Sequence, residues 1–281
     1  MIYTPVKQYE LLLTDLDGTL LDDDHNIPRQ NKRAVEAVIS MGKHVVICSG
    51  RAWVSMERFE EQLSLNKPGH FGAAFNGGTV YAYVDGENNK TERRFLYDYS
   101  MQNVLSVELV NELKAMGANP MVYIGNLLLA DTITDDMRRY SDRVRIPINV
   151  TKDLLAIASD VTKIIVKSGN HTMLRAAYDC LHTRYINQCN VFFSDRTLLE
   201  LSHPEAHKGS AVRFLADHLY IPLSETIAVG DQENDIPMLK AAGLGVATAN
   251  ASPETKAAAD YITEANNNQS AVCEVIERFV L

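Results

Sequence analysis

No cluster of Lys and Arg gathers anywhere along these 281 residues, and the formal net charge is −9. A protein that grips nucleic acid by its surface needs a basic face. No nucleic-acid partner is therefore expected, and the same acidic balance argues against docking on an anionic membrane. Cysteine is scarce: Cys48, Cys180, Cys189 and Cys273 are the four, and none forms a CxxC pair. Their spacing suggests neither a zinc site nor a disulfide framework, so four reduced, mostly buried thiols are expected. Long apolar runs are missing too. The stretch from Leu11 to Leu21 contains Asp15 and Asp17 and is too short to span a bilayer, and the first residues lack a signal pattern. These absences suggest a cytoplasmic protein with no membrane partner. They do not exclude an anionic substrate, because a bound metal ion can reverse the local field. Hydrophobic residues at 46% and charged ones at 22% mark a globular chain.

What is present alternates. Leu11–Leu12–Leu13–Thr14 is a short apolar strand ending in Asp15, and a helix opens at Pro28 and stops near Gly42. A buried strand, His44 to Cys48, then ends at Ser49, and a helix covers roughly Trp53 to Leu65. The C-terminal segment repeats the grammar: a helix after Lys208, a strand Ile227–Ala228–Val229 ending at Gly230–Asp231, and a helix from about Asp235 to Ala242. A strand Leu244 to Ala247 and a closing helix Val272 to Phe279 complete it. Such order implies right-handed crossovers and a parallel sheet. The middle differs. Asp85–Gly86 and Gly125–Asn126 are turn dipeptides between β-rich runs, with helical stretches near Val104–Met116 and Leu174–Arg184. The expected architecture is an α/β core, a doubly wound parallel sheet built from 1–84 and 203–281, with an α+β unit inserted at about 85–202.

Three apolar strands each end in a polar group: Asp15, Ser49 and Asp231. Ligands of open parallel sheets bind beyond the carboxyl ends of the strands, which would bring these distant residues together. In extended chain Asp15 and Asp17 point to one side, and Gly18 permits a sharp turn. Two like charges about 4 Å apart repel by roughly 4 kcal/mol at an effective dielectric near 20. A cation between them, or a proton kept on one, relieves this. A phosphatase could use both: Mg²⁺ would hold Asp15 and the phosphate, and a protonated Asp17 would serve the leaving oxygen. A plain surface turn or a piece of a calcium loop has the same letters. Asp22, Asp23 and Asp24 read as a solvated acidic loop. The Ser49 hydroxyl and nearby backbone N–H groups, as at Gly50, suit a phosphate oxygen, and Arg51 reads as structural. Lys208 opens a helix, where a cation is mildly disfavoured, so it is either a tolerated surface lysine or a charge aimed at a phosphoryl group. In Gly230–Asp231–Gln232–Glu233–Asn234–Asp235, Asp231 can ligate a metal and Asn234 can bond phosphate. Asp235 can support a ligand from behind or cap the helix.

Taken together, Asp15–Leu16–Asp17–Gly18–Thr19–Leu20–Leu21, Ser49–Gly50–Arg51, Lys208–Gly209 and Gly230 to Asp235 resemble the haloacid dehalogenase (HAD) superfamily, specifically its Cof-type (class IIB) sugar-phosphatase branch. Asn76–Gly77 and Gly245–Val246–Ala247 with Asn250–Ala251 resemble it too, whereas Thr248 and Ala249 depart from its usual letters. The resemblance covers the whole chain. It implies a Rossmann-like core with a mobile cap, Asp15 as nucleophile and Asp17 as general acid/base. Ser49, Gly50, Lys208 and Asn234 would hold phosphate, with Thr19 and Asp235 in support. Mg²⁺ would be held by Asp15, the Asp17 backbone carbonyl and Asp231. The function implied is hydrolysis of small phosphorylated metabolites, most of all sugar phosphates. Pyridoxal phosphate, flavin mononucleotide, or a phosphomutase reaction on sugar phosphates are the alternatives. A phosphorelay receiver would share an acidic cluster, a hydroxyl and a Lys, but not the insert or the paired Asp15 and Asp17. A homodimer is left open.

Overall fold

The structure, a computed structural model, describes residues 8–281. Two compact units emerge. One gathers the chain up to Ser49 with Glu57–Leu96 and His207–Leu281, and the other takes Gly50–Met56 with Tyr97–Ala206. No helix among the described residues is long and apolar enough to cross a membrane.

The chain opens with β1 (Leu11–Thr14), α1 (Arg29–Ser40), β2 (His44–Cys48), α2 (Trp53–Gln62), β3 (Phe71–Ala74), β4 (Thr79–Asp85) and β5 (Thr91–Asp98). The insert follows with α3 (Asn103–Ala115), β6 (Met121–Ile124), β7 (Leu127–Ala130), α4 (Asp135–Val144) and β8 (Ile148–Val150). It continues through β9 (Lys163–Lys167), α5 (His171–Arg184), β10 (Asn190–Asp195) and β11 (Leu198–Ser202). The first unit resumes with α6 (Lys208–His218), β12 (Thr226–Gly230), α7 (Ile236–Ala241), β13 (Leu244–Ala247), α8 (Pro253–Ala258), β14 (Tyr261–Ile262) and α9 (Ala271–Phe279).

Its sheet runs β14-β13-β12-β1-β2-β3-β4-β5. The pairings from β14 to β3 are parallel, and β4 returns antiparallel to β3. This is a Rossmann-like, doubly wound α/β core. β1 is Leu-Leu-Leu-Thr and buried at every position, as a central parallel strand covered on both faces must be. From β1 the chain winds outward to β2 and β3, and on its return it winds the other way from β12 to β13 and β14. The order therefore reverses between β1 and β12, where ligands of such sheets bind. In the insert, a six-stranded sheet β10-β11-β9-β6-β7-β8 is antiparallel except for β7 with β8. Alternate residues such as Val122, Ile164 and Leu199 pack with Leu109, Leu113 and Leu181 of α3 and α5 in a separate apolar core.

Several expectations change in detail. Cys48 and Cys189 are buried, but Cys273 is half-buried and Cys180 exposed, so the thiols are less hidden than expected. Asp23 is not merely solvated: its two carboxylate oxygens accept from the side chains of Asn267 and Asn268 at 3.0 and 2.9 Å.

A polar knot ties α2 to β4 and β5. Glu60, 1% exposed, accepts from the Tyr81 and Tyr83 hydroxyls at 2.6 Å each, and Arg93 donates to the Tyr83 oxygen at 2.7 Å. Burial pushes the Glu60 carboxyl above its ordinary value of 4.5, against the pull of those hydroxyls and of Arg93. An acid whose folded pKa lies above its unfolded one favours folding while protonated, and that contribution is lost as the pH rises through the folded value. We expect the stability advantage of wild type over Glu60→Gln to shrink as the pH rises from the ordinary carboxyl value of 4.5. Denaturant unfolding across that range checks this; an advantage that grows with pH would mean that Arg93 and the tyrosines outweigh burial.

Candidate active site

Asp15 sits just past β1, only 7% exposed, with its N–H donating to the Val229 carbonyl at 2.9 Å. The chain then turns tightly through Leu16–Leu20. Gly18 is required there twice over. Its φ of +79° is left-handed, and a Cβ would lie 2.5 Å from Oδ2 of Asp231. The turn is fastened by three side-chain amides, those of Asn31 and Asn267 buried and that of Asn250 exposed. Asn31 Nδ2 donates to the Leu20 carbonyl at 3.0 Å, Asn267 Nδ2 to Leu21 at 3.1 Å, and Asn250 Nδ2 to Gly18 at 2.8 Å. Neither Asn31 nor Asn267 stands out in the sequence, since a lone Asn on a helix or loop carries no pattern.

Asp231 follows β12, the neighbour of β1. Its Oδ1 accepts from Thr19 Oγ1 at 2.9 Å and its Oδ2 from Gln232 Nε2 at 3.1 Å. Asp235 caps this turn. Its Oδ2 accepts the N–H groups of Asp231 and Gln232 at 2.8 and 3.0 Å. Between these acids lies Lys208, 0% exposed, whose Nζ is 2.5 Å from Oδ1 of both Asp15 and Asp235. The surface-lysine reading is thus excluded. The start of α6 comes close because Gly77, at φ +77°, has no side chain: a Cβ there would lie 2.8 Å from the His207 carbonyl.

Carboxylate oxygens of Asp15, Asp231 and Asp235 lie within 4.8 Å of one another. With Lys208 protonated, full ionisation leaves two negative charges in excess. Burial pulls the Lys208 ammonium down, but the charges of Asp15 and Asp235 outweigh it and raise it. Burial pushes the Asp15 carboxyl well above the usual carboxylate range; Lys208 opposes this, and Asp235 and Asp231 add to it. Asp231 is pushed up to about 7, mainly by burial and then by Asp235. Cys48, adjoining the cluster, is pushed up to about 12 by burial and is no nucleophile.

Such an acidic knot wants a cation. Its donors are hard carboxylate oxygens, the set that suits Mg²⁺ rather than a thiolate- or imidazole-seeking metal. At Mg–O distances of about 2.1 Å, opposite ligand oxygens stand about 4.2 Å apart, which the cluster's span accommodates. Asp235 is already committed to Lys208 and two N–H groups, so Asp15 and Asp231 are the carboxylates better placed to ligate.

The other expected residues are distributed differently. The Asp17 carboxylate stands outside this cluster. It is 42% exposed, with Oδ1 3.6 Å from Nδ1 of His25. Ser49 follows β2 and is buried; its N–H donates to the Ala73 carbonyl and its carbonyl accepts from the Asn76 N–H, both at 2.9 Å. Asn234 Nδ2 donates to Asn76 Oδ1 at 3.0 Å, so Asn76 links the Ser49 loop to the Asp231 loop. Asn76 was legible only as Asn-Gly after a strand, not as a link. Gly50 falls in the second compact unit, and its carbonyl accepts from Lys163 Nζ at 2.7 Å. Arg51 is buried in that same unit.

Residues 12–276 match the haloacid dehalogenase-like hydrolase family. A Streptococcus pyogenes serotype M6 protein with a phosphatase name is 31% identical over 272 residues, covering 97% of this chain and 98% of its own. A haloacid dehalogenase-like hydrolase from Bacteroides thetaiotaomicron superposes with a TM-score of 0.83 at 28% identity, over 96% of this chain and 99% of that one. The fold is also that of a HAD subclass IIB sugar phosphatase, BT4131, at TM-score 0.79 and 20% identity over 96% and 98% of the two chains. This chain belongs to the haloacid dehalogenase-like hydrolase family, and it is an enzyme of the phosphatase kind.

Replacing Lys208 by Met would leave Asp15 and Asp235 buried without a counter-charge. Removing one partner of a buried ion pair costs about 3–5 kcal/mol. We expect Lys208→Met to lose about that much stability without divalent cation, and part of the loss to be recovered by millimolar Mg²⁺. Unfolding curves with and without Mg²⁺ decide; a variant as stable as wild type in chelator would contradict the ion-pair account.

Proposed function

We propose that this phosphatase hydrolyses small phosphate monoesters, sugar phosphates foremost, through an aspartyl-phosphate on Asp15, with Mg²⁺ as cofactor. The observation that carries this reading is the buried convergence of Asp15, Asp231 and Asp235 around Lys208 at the switch point of the sheet. Lys208 takes Oδ1 of Asp15, which fixes the carboxylate and leaves Oδ2 to attack phosphorus. As the new O–P bond forms, the bond to the leaving oxygen breaks, and that oxygen takes a proton from Asp17. Water then attacks the same phosphorus, Asp17 recovers the proton, and inorganic phosphate leaves with Asp15 regenerated. The Ser49 hydroxyl, the Gly50 backbone, Asn234 and the Lys208 ammonium would hold the phosphoryl oxygens. Thr19 and Asp235 would orient Asp231 and Lys208. Mg²⁺, bound by Asp15, Asp231 and the Asp17 carbonyl, would neutralise charge on the phosphoryl oxygens. The exposure of Asp17 supports its role, since a proton donor must reach a varied leaving group. Choice among substrates is assigned to the inserted unit. A cytoplasmic setting fits the four free thiols.

Asp15→Asn should fold normally and lose turnover, because an amide cannot form the acyl-phosphate. The pure variant must be free of wild-type carry-over and of deamidation; a rate within about tenfold of wild type would contradict the nucleophile. Wild-type activity should vanish in exhaustive chelator and return with Mg²⁺. Asp17→Asn should lose about 10²–10⁴-fold on alkyl phosphates and much less on p-nitrophenyl phosphate, whose leaving group needs no proton. Equal losses on both would count against proton transfer by Asp17.

A further inference from the structure

Within the insert, Lys163 begins β9 with its side chain on the sheet face opposite the apolar core, because Ile164 and Val166 point into that core. It is only 1% exposed. Its ammonium lies 3.0 Å from Oε2 of Glu200 on β11, and Glu200 Oε1 accepts from Ser194 Oγ at 2.7 Å. The Tyr123 ring centroid is 5.6 Å from Nζ. A buried ion pair contributes little net stability over an apolar pair of the same shape. Its use is better read from where the cation's further donor goes, which is the carbonyl of Gly50 at 2.7 Å. Gly50 is the residue after Ser49. It belongs with the short stretch Gly50–Met56 that folds with the insert, and that stretch carries a second tether, Ser55 Oγ donating to the Val144 carbonyl at 2.6 Å.

We propose that Lys163, held by Glu200, is a positioning residue for the phosphate-binding loop: through the Gly50 carbonyl it fixes the backbone that presents the Ser49 hydroxyl. The inference rests on the reading of Ser49 as a phosphoryl ligand. Ser49 itself is held by backbone hydrogen bonds with Ala73 and Asn76. Lys163 thereby acts on binding of the phosphoryl group, in substrate and in product phosphate alike.

The experiment uses the full chain with Mg²⁺, and reads KM and kcat for p-nitrophenyl phosphate and the inhibition constant of inorganic phosphate. The variants are Ser49→Ala, Lys163→Met, their double, Lys163→Arg and, as a control, Lys167→Met. Lys167 is a cation on the same strand whose ammonium pairs with Asp195 at 3.0 Å. Lys163→Met should raise KM and the phosphate constant about tenfold or more with a much smaller change in kcat. Lys163→Arg should restore part of this, and Lys167→Met should do nothing. In the Ser49→Ala background Lys163→Met should add clearly less than it does alone, because the part of its effect that passes through the hydroxyl is gone and only the part through the Gly50 backbone remains. Full additivity of the two, or an unchanged phosphate constant in Lys163→Met beside a raised one in Ser49→Ala, overturns the inference alone. An unchanged constant in Ser49→Ala overturns the Ser49 assignment and this inference with it. If Lys163→Met fails to fold, Ser55→Ala takes its place: a rise of about two- to threefold, smaller in the Ser49→Ala background, supports the tether, and no rise refutes it.

Discussion

A lysine with no solvent contact, clasped by two carboxylates, is the constraint around which this core is arranged. Burying an ammonium is costly unless it is paired and fully bonded. Lys208 meets that condition only because Asp15 and Asp235 approach from two different loops. Those loops follow β1 and β12, which are neighbours because the chain winds away from β1 in both directions. Two glycines make the fit possible. Gly77 lets the start of α6 come close, and Gly18 lets the Asp15 turn pass against Asp231. The clasp over-supplies negative charge, and burial first, with the neighbouring carboxylates adding to it, pushes Asp15 and Asp231 upward. Buried acids gathered in this way could hold a cation, which is what the proposed phosphoryl chemistry requires.

The division of labour proposed for Asp15 and Asp17 rests on the turn that separates them. Asp15 is buried, oriented and bonded through Oδ1. Asp17, two residues on, is half exposed beside His25. One environment suits an atom that must attack along a fixed line, and the other suits a group that must reach variable leaving oxygens. Asp231 and Asp235 divide differently: Asp235 is consumed by N–H groups and Lys208, and so orients what Asp231 offers.

Much of the core was legible because local patterns there coincide with global ones. The all-apolar β1 with Asp15 at its end, the strand His44–Cys48 before Ser49, and the Gly230–Asp231 turn each announced a parallel strand and a loop at its carboxyl end. From the residues alone Lys208 stayed open between a surface lysine and a phosphoryl ligand, and only the family resemblance chose, since its burial depends on partners 193 and 27 residues away and on a glycine 131 residues before it. Asn31 and Asn267 were silent for the same reason: each satisfies a carbonyl of the Asp15 turn from a distant helix or loop. In the insert the hairpin at Gly125–Asn126 was readable from its turn residues. Helix α4 was not, because its strongly polar sequence offers only Met137, Tyr140 and Val144 as a buried stripe. That Gly50–Met56 folds with the insert is a matter of packing that no spacing reveals.

Covalent chemistry at Asp15 is the claim on which the functional account stands. The direct measurement is to quench the enzyme with acid during turnover of a ³²P-labelled monoester, digest it, and locate the label. The account predicts a phosphoryl group that resists acid, is released by hydroxylamine as an acyl-phosphate must be, and maps to Asp15. Turnover without any protein-bound label under conditions where its formation outpaces its hydrolysis, or a label on another residue, would contradict it.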